Sequence, residues 1–219
     1  MNTVEKKTQI LNWSFFSAIA FMIMLASLHV IKPELDPSWN FISEYEVGRI
    51  GWLMQLAFLS LALSCIFLVA GMWQLLNIVG KIGLVMLLIS AAGMIIAAIF
   101  KTDALNTEVA LQTQSGKLHQ LGAMLDQIPF AAILISISLF KKKEWNINRP
   151  LLIIALVLVW FGFVYFVGSI KSQFPADGKF GPNVIVGWQN RIMIITQAAW
   201  LAVIAKQVSK KINSKTALP

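Results

Sequence analysis

Six runs of mostly apolar residues, each about the length needed to cross a lipid bilayer, restrict this sequence to one class of fold. They fall at 11–31, 51–76, 82–100, 118–140, 150–170 and 190–205. A hydrocarbon core of about 30 Å calls for roughly 20 residues of helix at about 1.5 Å rise per residue. Water is absent at that depth, so each run must satisfy its own backbone N–H and C=O groups, which a helix does. The expected fold is therefore all-α: a polytopic integral membrane protein with six transmembrane helices. Composition agrees, since 58% of the 219 residues are hydrophobic and 13% charged, against about 25% charged in an ordinary soluble domain.

The first run follows Lys6 and Lys7, as a secretory signal would. Its length exceeds the roughly 7–15 residues of a signal's apolar region and no small-x-small cleavage site follows, so an uncleaved span is expected. No low-complexity tract or repeat divides the chain. The predicted organisation is a cytoplasmic tail over 1–10, one six-helix domain over 11–205 and a basic cytoplasmic tail over 206–219. The single cysteine, Cys65, lies inside an apolar run, where it serves as a small hydrophobe and forms no intramolecular disulfide.

The formal net charge of +8 would raise the question of nucleic acid in a soluble protein. Here the basic residues gather at the ends of apolar runs, which makes them topology signals, and no nucleic-acid partner is expected. Under six-span topology Lys6, Lys7, Lys81, Lys141, Lys142, Lys143, Arg149, Lys206, Lys210, Lys211 and Lys215 share one side with only Glu5 and Glu144. The other side balances Lys32, Arg49, Lys101, Lys117, Lys171, Lys179 and Arg191 against Glu34, Asp36, Glu44, Glu46, Asp103, Glu108 and Asp177. The positive-inside rule then puts both termini in the cytoplasm and the three long loops outside. A plasma membrane or a bacterial cytoplasmic membrane is the expected location.

Polar chemistry concentrates at the outer end. The stretch from His29 to Arg49 holds four of the ten carboxylates and one of the two histidines. Asp36 followed by Pro37 suits the start of a helix and Gly48 a stop, so a short interfacial or partly re-entrant helix is expected there. Ser43, Glu44 and Tyr45 offer a hydroxyl, a general acid or base and a phenol, or simply a solvated turn. His29 and His119 lie at the same boundary and can approach one another across the bundle. Asp126, seven residues after His119, falls on nearly the same helix face about 10 Å deeper. It is a candidate for proton transfer, or a protonated acid bonding a neighbouring helix through Gln55, Ser60 or Gln197. Arg191, with Lys32 and Lys117 at its level, suits a phosphate or a rim salt bridge with Asp103. No paired-cysteine or histidine spacing of a metal site is present, so neither metal nor cofactor is expected.

Several short motifs lie at these positions: His29 closing the first span, Ile42-Ser43-Glu44-Tyr45-Glu46-Val47-Gly48, Phe100-Lys101-Thr102-Asp103, Gly116-Lys117-Leu118-His119 and Trp188-Gln189-Asn190-Arg191. Through them the chain, from about residue 10 to 205, resembles the six-span membrane family called domain-of-unknown-function 998. The resemblance implies a relation to Frag/DRAM/Sfk-type proteins and, through some of those, a connection to lipid handling. It supplies no reaction. Larger membrane hydrolases built on a serine, an aspartate and three histidines are similar only loosely, because this chain has two histidines.

The function expected from these residues is a membrane protein with an outward-facing polar pocket for a lipid headgroup or another small anionic ligand. His29, Asp103, His119 and Arg191 would line it under a cover of Ser43, Glu44 and Tyr45, with Asp126 at its floor. His119 and Asp126 are the candidates for catalysis. The alternatives are a proton-coupled transporter, a membrane-embedded lipid hydrolase and an accessory protein of a membrane complex. Oligomeric state is left open.

Overall fold

The structure is a computed structural model that describes residues 3–142, 147–175 and 180–216. Seven α-helices build the six spans: α1 Thr3–Ile31, α2 Gly51–Met72, α3 Ile78–Ile99, α4 Gln114–Met124, α5 Ile128–Phe140, α6 Arg149–Gln173 and α7 Gly187–Thr216. All six spans are long and apolar enough to cross a membrane, with α4 and α5 together making the fourth. Helix starts are fixed by side-chain caps: Asn77 accepts the Gly80 N–H, Thr113 the Gly116 N–H and Asn148 the Leu151 N–H. Of the charges used to argue orientation, Lys143, Glu144, Asp177 and Lys179 lie outside the described residues, as does the Lys215 side chain.

Each span packs on its neighbours in chain order, and α7 returns to α1, so the bundle closes into a ring. Lipid gives apolar helices little reason to associate, and small or polar residues carry the contacts. Ser14 and Ser64 exchange hydroxyl-to-carbonyl bonds between α1 and α2 at 2.8 and 2.9 Å, and Ser60 donates to the Ser17 carbonyl. Gly93 of α3 faces Gly122 of α4 so closely that a Cβ on Gly122 would stand 2.6 Å from the Gly93 carbonyl oxygen and 3.1 Å from the Ala97 nitrogen. The small-residue pattern at Gly93 and Ala97 is therefore a backbone contact. Trp13, Trp52, Trp73 and Trp188 stay exposed near span ends, as interfacial anchors should.

Several boundaries differ from the sequence expectation, and α3 begins at Ile78 rather than 82. α2 ends at Met72 rather than 76. α1 begins at Thr3 and α7 continues to Thr216, so the stretches read as tails are largely helical. The Thr8 hydroxyl donates to Asn213 at 2.7 Å and that of Ser209 to Asn12 at 3.1 Å, holding these two extensions together.

The fourth span is the larger correction. Expected as one helix over 118–140, it breaks at Leu125 to Gln127. Pro129 lacks an N–H and its ring crowds the carbonyl four residues earlier, so a straight helix cannot run through it. Side chains take up the freed donors, the Ser90 hydroxyl accepting the Gln127 N–H at 2.7 Å and the Asp126 carboxylate the Ile128 N–H at 3.0 Å. His119 and Asp126 consequently do not share one helical face.

Candidate functional site

The candidate site lies at the end of the bundle where α1 finishes and α2, α4 and α7 begin. The loop from Lys32 to Phe41 leads into a single 3-10 turn, Ile42–Glu46, in place of the expected interfacial helix. Asp36 and Pro37 open only an isolated turn: the Ser38 and Asn40 N–H groups bond to Asp36 and nothing propagates. The Ser38 N–H, more than the attraction of Arg191, holds the exposed Asp36 carboxyl below the usual carboxylate range. The 3-10 turn ends as expected near Gly48, which has a positive φ of 79°. Ile50 follows at φ 69°, a conformation that costs a β-branched residue energy. Gly51 then passes directly over the Glu46 carbonyl, where no Cβ fits.

Instead of lying solvated, the turn is buried. Glu44 is 4% exposed, and Tyr45 and Glu46 are 0% exposed. Each of the three reaches a different part of the molecule. The Glu44 carboxylate accepts the Asn40 side-chain amide at 2.7 Å, the Phe41 N–H at 3.1 Å and, across the bundle, the Leu105 N–H at 2.9 Å. Glu46 accepts the Thr102 N–H at 3.1 Å and contacts His119 Nδ1 at 3.2 Å. Its second oxygen, Oε1, is buried without a partner. Lys32, also buried, donates to the Tyr45 and Val47 carbonyls that close the turn.

Tyr45 meets α1 and α7. Its ring lies 5.3 Å from that of His29, and its hydroxyl accepts from Arg191 Nη2 at 3.1 Å. Arg191 is 1% exposed and is the centre of the cluster. Its Nε donates to His29 Nε2 at 2.7 Å, and its Nη1 faces the carbonyls of Asn40 at 2.6 Å, Gly187 at 3.0 Å and Pro37 at 3.3 Å. His29 Nδ1 lies 2.7 Å from the Leu25 carbonyl, so it carries the proton, and Nε2 is free to accept from the guanidinium. His29 is thus neutral and fixed in one tautomer. Among the described residues no carboxylate pairs with Arg191.

The two histidines do not meet. His119 Nδ1 points to the Ala97 and Phe100 carbonyls at 3.1 and 2.9 Å besides Glu46, and its ring packs on Phe58. Asp103 is not in the Arg191 cluster, and the suggested salt bridge between them is absent. Its two oxygens accept the Thr113 N–H at 2.8 Å and hydroxyl at 2.9 Å, closing the loop before α4, where Gly116 leaves room for the carboxylate. Ser43 is half-buried and hydrogen-bonds to neither histidine, so no serine–histidine pair forms. Asp126 sits apart, in the break of the fourth span, and takes the Gln197 amide at 2.7 Å. Gln55 and Ser60, the other suggested partners, bond instead to the Ala98 and Ser17 carbonyls.

Two roles were not foreseen from the sequence: Glu46 stood there only as an outer-side charge within a motif, and Lys32 only as positive charge at the level of Arg191. Their signal lay in the alternation itself: Glu44 and Glu46 flank a tyrosine in a segment whose Ile42 is also buried. Among the described residues no group of three histidine, cysteine or carboxylate side chains gathers as a metal site would require.

No curated protein and no solved structure matches the chain. The family model described as "Protein of unknown function (DUF998)" matches residues 15–206, a stretch that contains the whole Arg191 cluster, the hub of the candidate site, and all six spans but for the ends of α1 and α7. The chain belongs to that family of multi-pass membrane proteins.

Proposed function

We propose that the hub binds an anionic group, the phosphate of a lipid headgroup or another small anion, with Arg191 and Tyr45 as its donors. One observation carries this reading: the buried guanidinium touches no carboxylate among the described residues, and not all of its hydrogens are matched. A guanidinium has five N–H groups. Nε spends its one on His29, and the two on Nη1 face three carbonyls, but the two on Nη2 meet a single acceptor, the Tyr45 hydroxyl. That hydroxyl, already accepting, has its own proton to donate, and no described residue receives it. Two donors beside a positive charge that no described carboxylate contacts suit a phosphate or carboxylate oxygen. Burial of Arg191 means that the anion enters as the exposed part of the loop, around Pro33 to Asp36, moves aside. In the orientation proposed from the charge asymmetry, both termini are cytoplasmic and the hub opens on the opposite side of a plasma or bacterial cytoplasmic membrane.

Native mass spectrometry of the protein released from micelles containing phosphatidylglycerol and phosphatidylcholine tests this. The wild type is expected to retain the anionic lipid preferentially. Arg191→Lys, which keeps the charge but loses the planar fork, is expected to lower that retention by about tenfold. Equal retention of the two lipids by the wild type, or undiminished retention by Arg191→Lys, contradicts lipid-headgroup binding.

A further inference from the structure

We infer that the break in the fourth span is a binding site for a small monovalent cation, H+ or Na+, held between the Asp126 carboxylate and the Gln197 side-chain oxygen. This site is separate from the hub and does not depend on its reading.

The first observation is a negative charge with nothing to balance it. The segments 8–31, 50–80, 82–100, 118–140, 150–170 and 192–205, which make up the membrane-crossing parts of the six spans, contain no lysine or arginine. Asp126 receives two hydrogen bonds, from the Ile128 N–H at 3.0 Å and from Gln197 Nε2 at 2.7 Å, and both donors are neutral. A bare carboxylate within a membrane span is costly, a cost that a proton or a cation removes.

The second observation is independent and concerns α7. Gln197 is 0% exposed, and its Oε1 is buried without a hydrogen-bond donor. Because Nε2 of the same planar amide touches Asp126, Oε1 lies only a few ångströms from the carboxylate. Two acceptors side by side call for something that both can share. A proton on Asp126 does this if the amide turns over, so that the acid O–H donates to Oε1. A sodium ion does it without the turn, coordinated by both oxygens. The end of α4 adds favourable field, since the last carbonyls of a helix carry partial negative charge.

The groups around Asp126 leave it the only strong acid present. From α2 the titratable neighbour is Cys65, within electrostatic reach. From α3 the Ser90 hydroxyl binds the neighbouring Gln127 N–H, Lys81 stands at the other end of that helix, and α5 brings no titratable group. On α4 His119 is turned to Glu46. On α7 Arg191 lies six residues before Gln197, about 9 Å along the axis, and is turned to the hub. Tyr165 of α6 is exposed on the outer face.

The test uses the purified full chain in nanodiscs, with infrared difference spectra and thermal unfolding recorded while NaCl replaces choline chloride at constant ionic strength, and again across pH. If Na+ is the occupant, the wild-type unfolding temperature rises saturably with Na+, Asp126→Asn abolishes the response and Gln197→Leu weakens the apparent affinity by about tenfold. If H+ is the occupant, Na+ has no effect, the wild type shows the C=O stretch of a protonated carboxylic acid, Asp126→Asn removes it and Gln197→Leu shifts it. Should Asp126→Asn fail to fold, the Gln197→Leu comparison decides alone. The inference is overturned if the wild type shows neither saturable Na+ stabilisation nor a protonated-acid band, or if Gln197→Leu changes neither signal.

Discussion

Replacing Arg191 by leucine is expected to cost about 3–5 kcal/mol of stability and to release the first loop from the bundle. The figure follows from what the side chain leaves behind, because several buried acceptors lose their donor together and each such group costs about 1–3 kcal/mol if water cannot reach it. His29 Nε2, the Asn40, Gly187 and Pro37 carbonyls and the Tyr45 hydroxyl are those acceptors. Water entering the site limits the sum. Thermal unfolding gives the stability change, and hydrogen exchange at the amides of residues 38–46 reads the loop. A variant with wild-type stability and unchanged exchange would show that the guanidinium does not hold the hub together. Arg191→Lys should lose less, since one ammonium replaces part of the donor set but cannot span His29, the carbonyls and Tyr45 at once.

A second large effect is expected from a change that touches no charge. Adding one methyl group at Gly187, the first residue of α7, would put a carbon 2.5 Å from the Pro37 carbonyl oxygen, 2.7 Å from that of Asn40 and 2.8 Å from the Trp39 nitrogen. All three are backbone atoms and cannot swing away as the tip of a side chain can. The loop must move, and the Gly187 N–H bond to the Ser38 carbonyl at 2.9 Å moves with it. Gly187→Ala should therefore destabilise by about 2–3 kcal/mol, the upper part of the range for overpacking. Two of the atoms it displaces are acceptors of Arg191, so Gly187→Ala and Arg191→Leu should combine to less than the sum of their separate effects. Full additivity in that double-mutant cycle would mean that loop docking and guanidinium binding are unrelated.

These two residues show what the sequence made legible. The six spans were readable because the physics that sets them is local: length against bilayer thickness, and a backbone that must bond to itself. Arg191 and His29 were readable as residues of interest, for the same reason that any charged or titratable group at the end of a span stands out. Their contact was not, because it joins positions 162 residues apart and depends on how α1 and α7 close the ring. Asp103 looked equivalent to the other loop carboxylates, yet its nearest donors are on Thr113, ten residues on, and local pairing took it out of the cluster. Glu46 stood in the sequence only as an outer-side charge within a motif, since only the fold of the 3-10 turn under the third loop buries it. The break at Leu125 to Gln127 had a visible cause in Pro129, but a proline in a membrane helix can produce either a kink or a restart. The Ser90 and Asp126 side chains that accept the freed N–H groups decide for a restart here.

The most direct test of the hub as an anion site is calorimetric titration of glycerol phosphate into the wild type and Tyr45→Phe. Removing one hydroxyl leaves Arg191, its carbonyls and His29 in place while deleting a donor and the acceptor of Nη2. Saturable binding by the wild type, weakened about 10- to 100-fold in Tyr45→Phe, is the predicted result, matching the loss of a hydrogen bond to a charged group. No saturable binding by the wild type, or equal affinity in the two proteins, would contradict it and leave the hub as a clamp that holds the loops to the bundle.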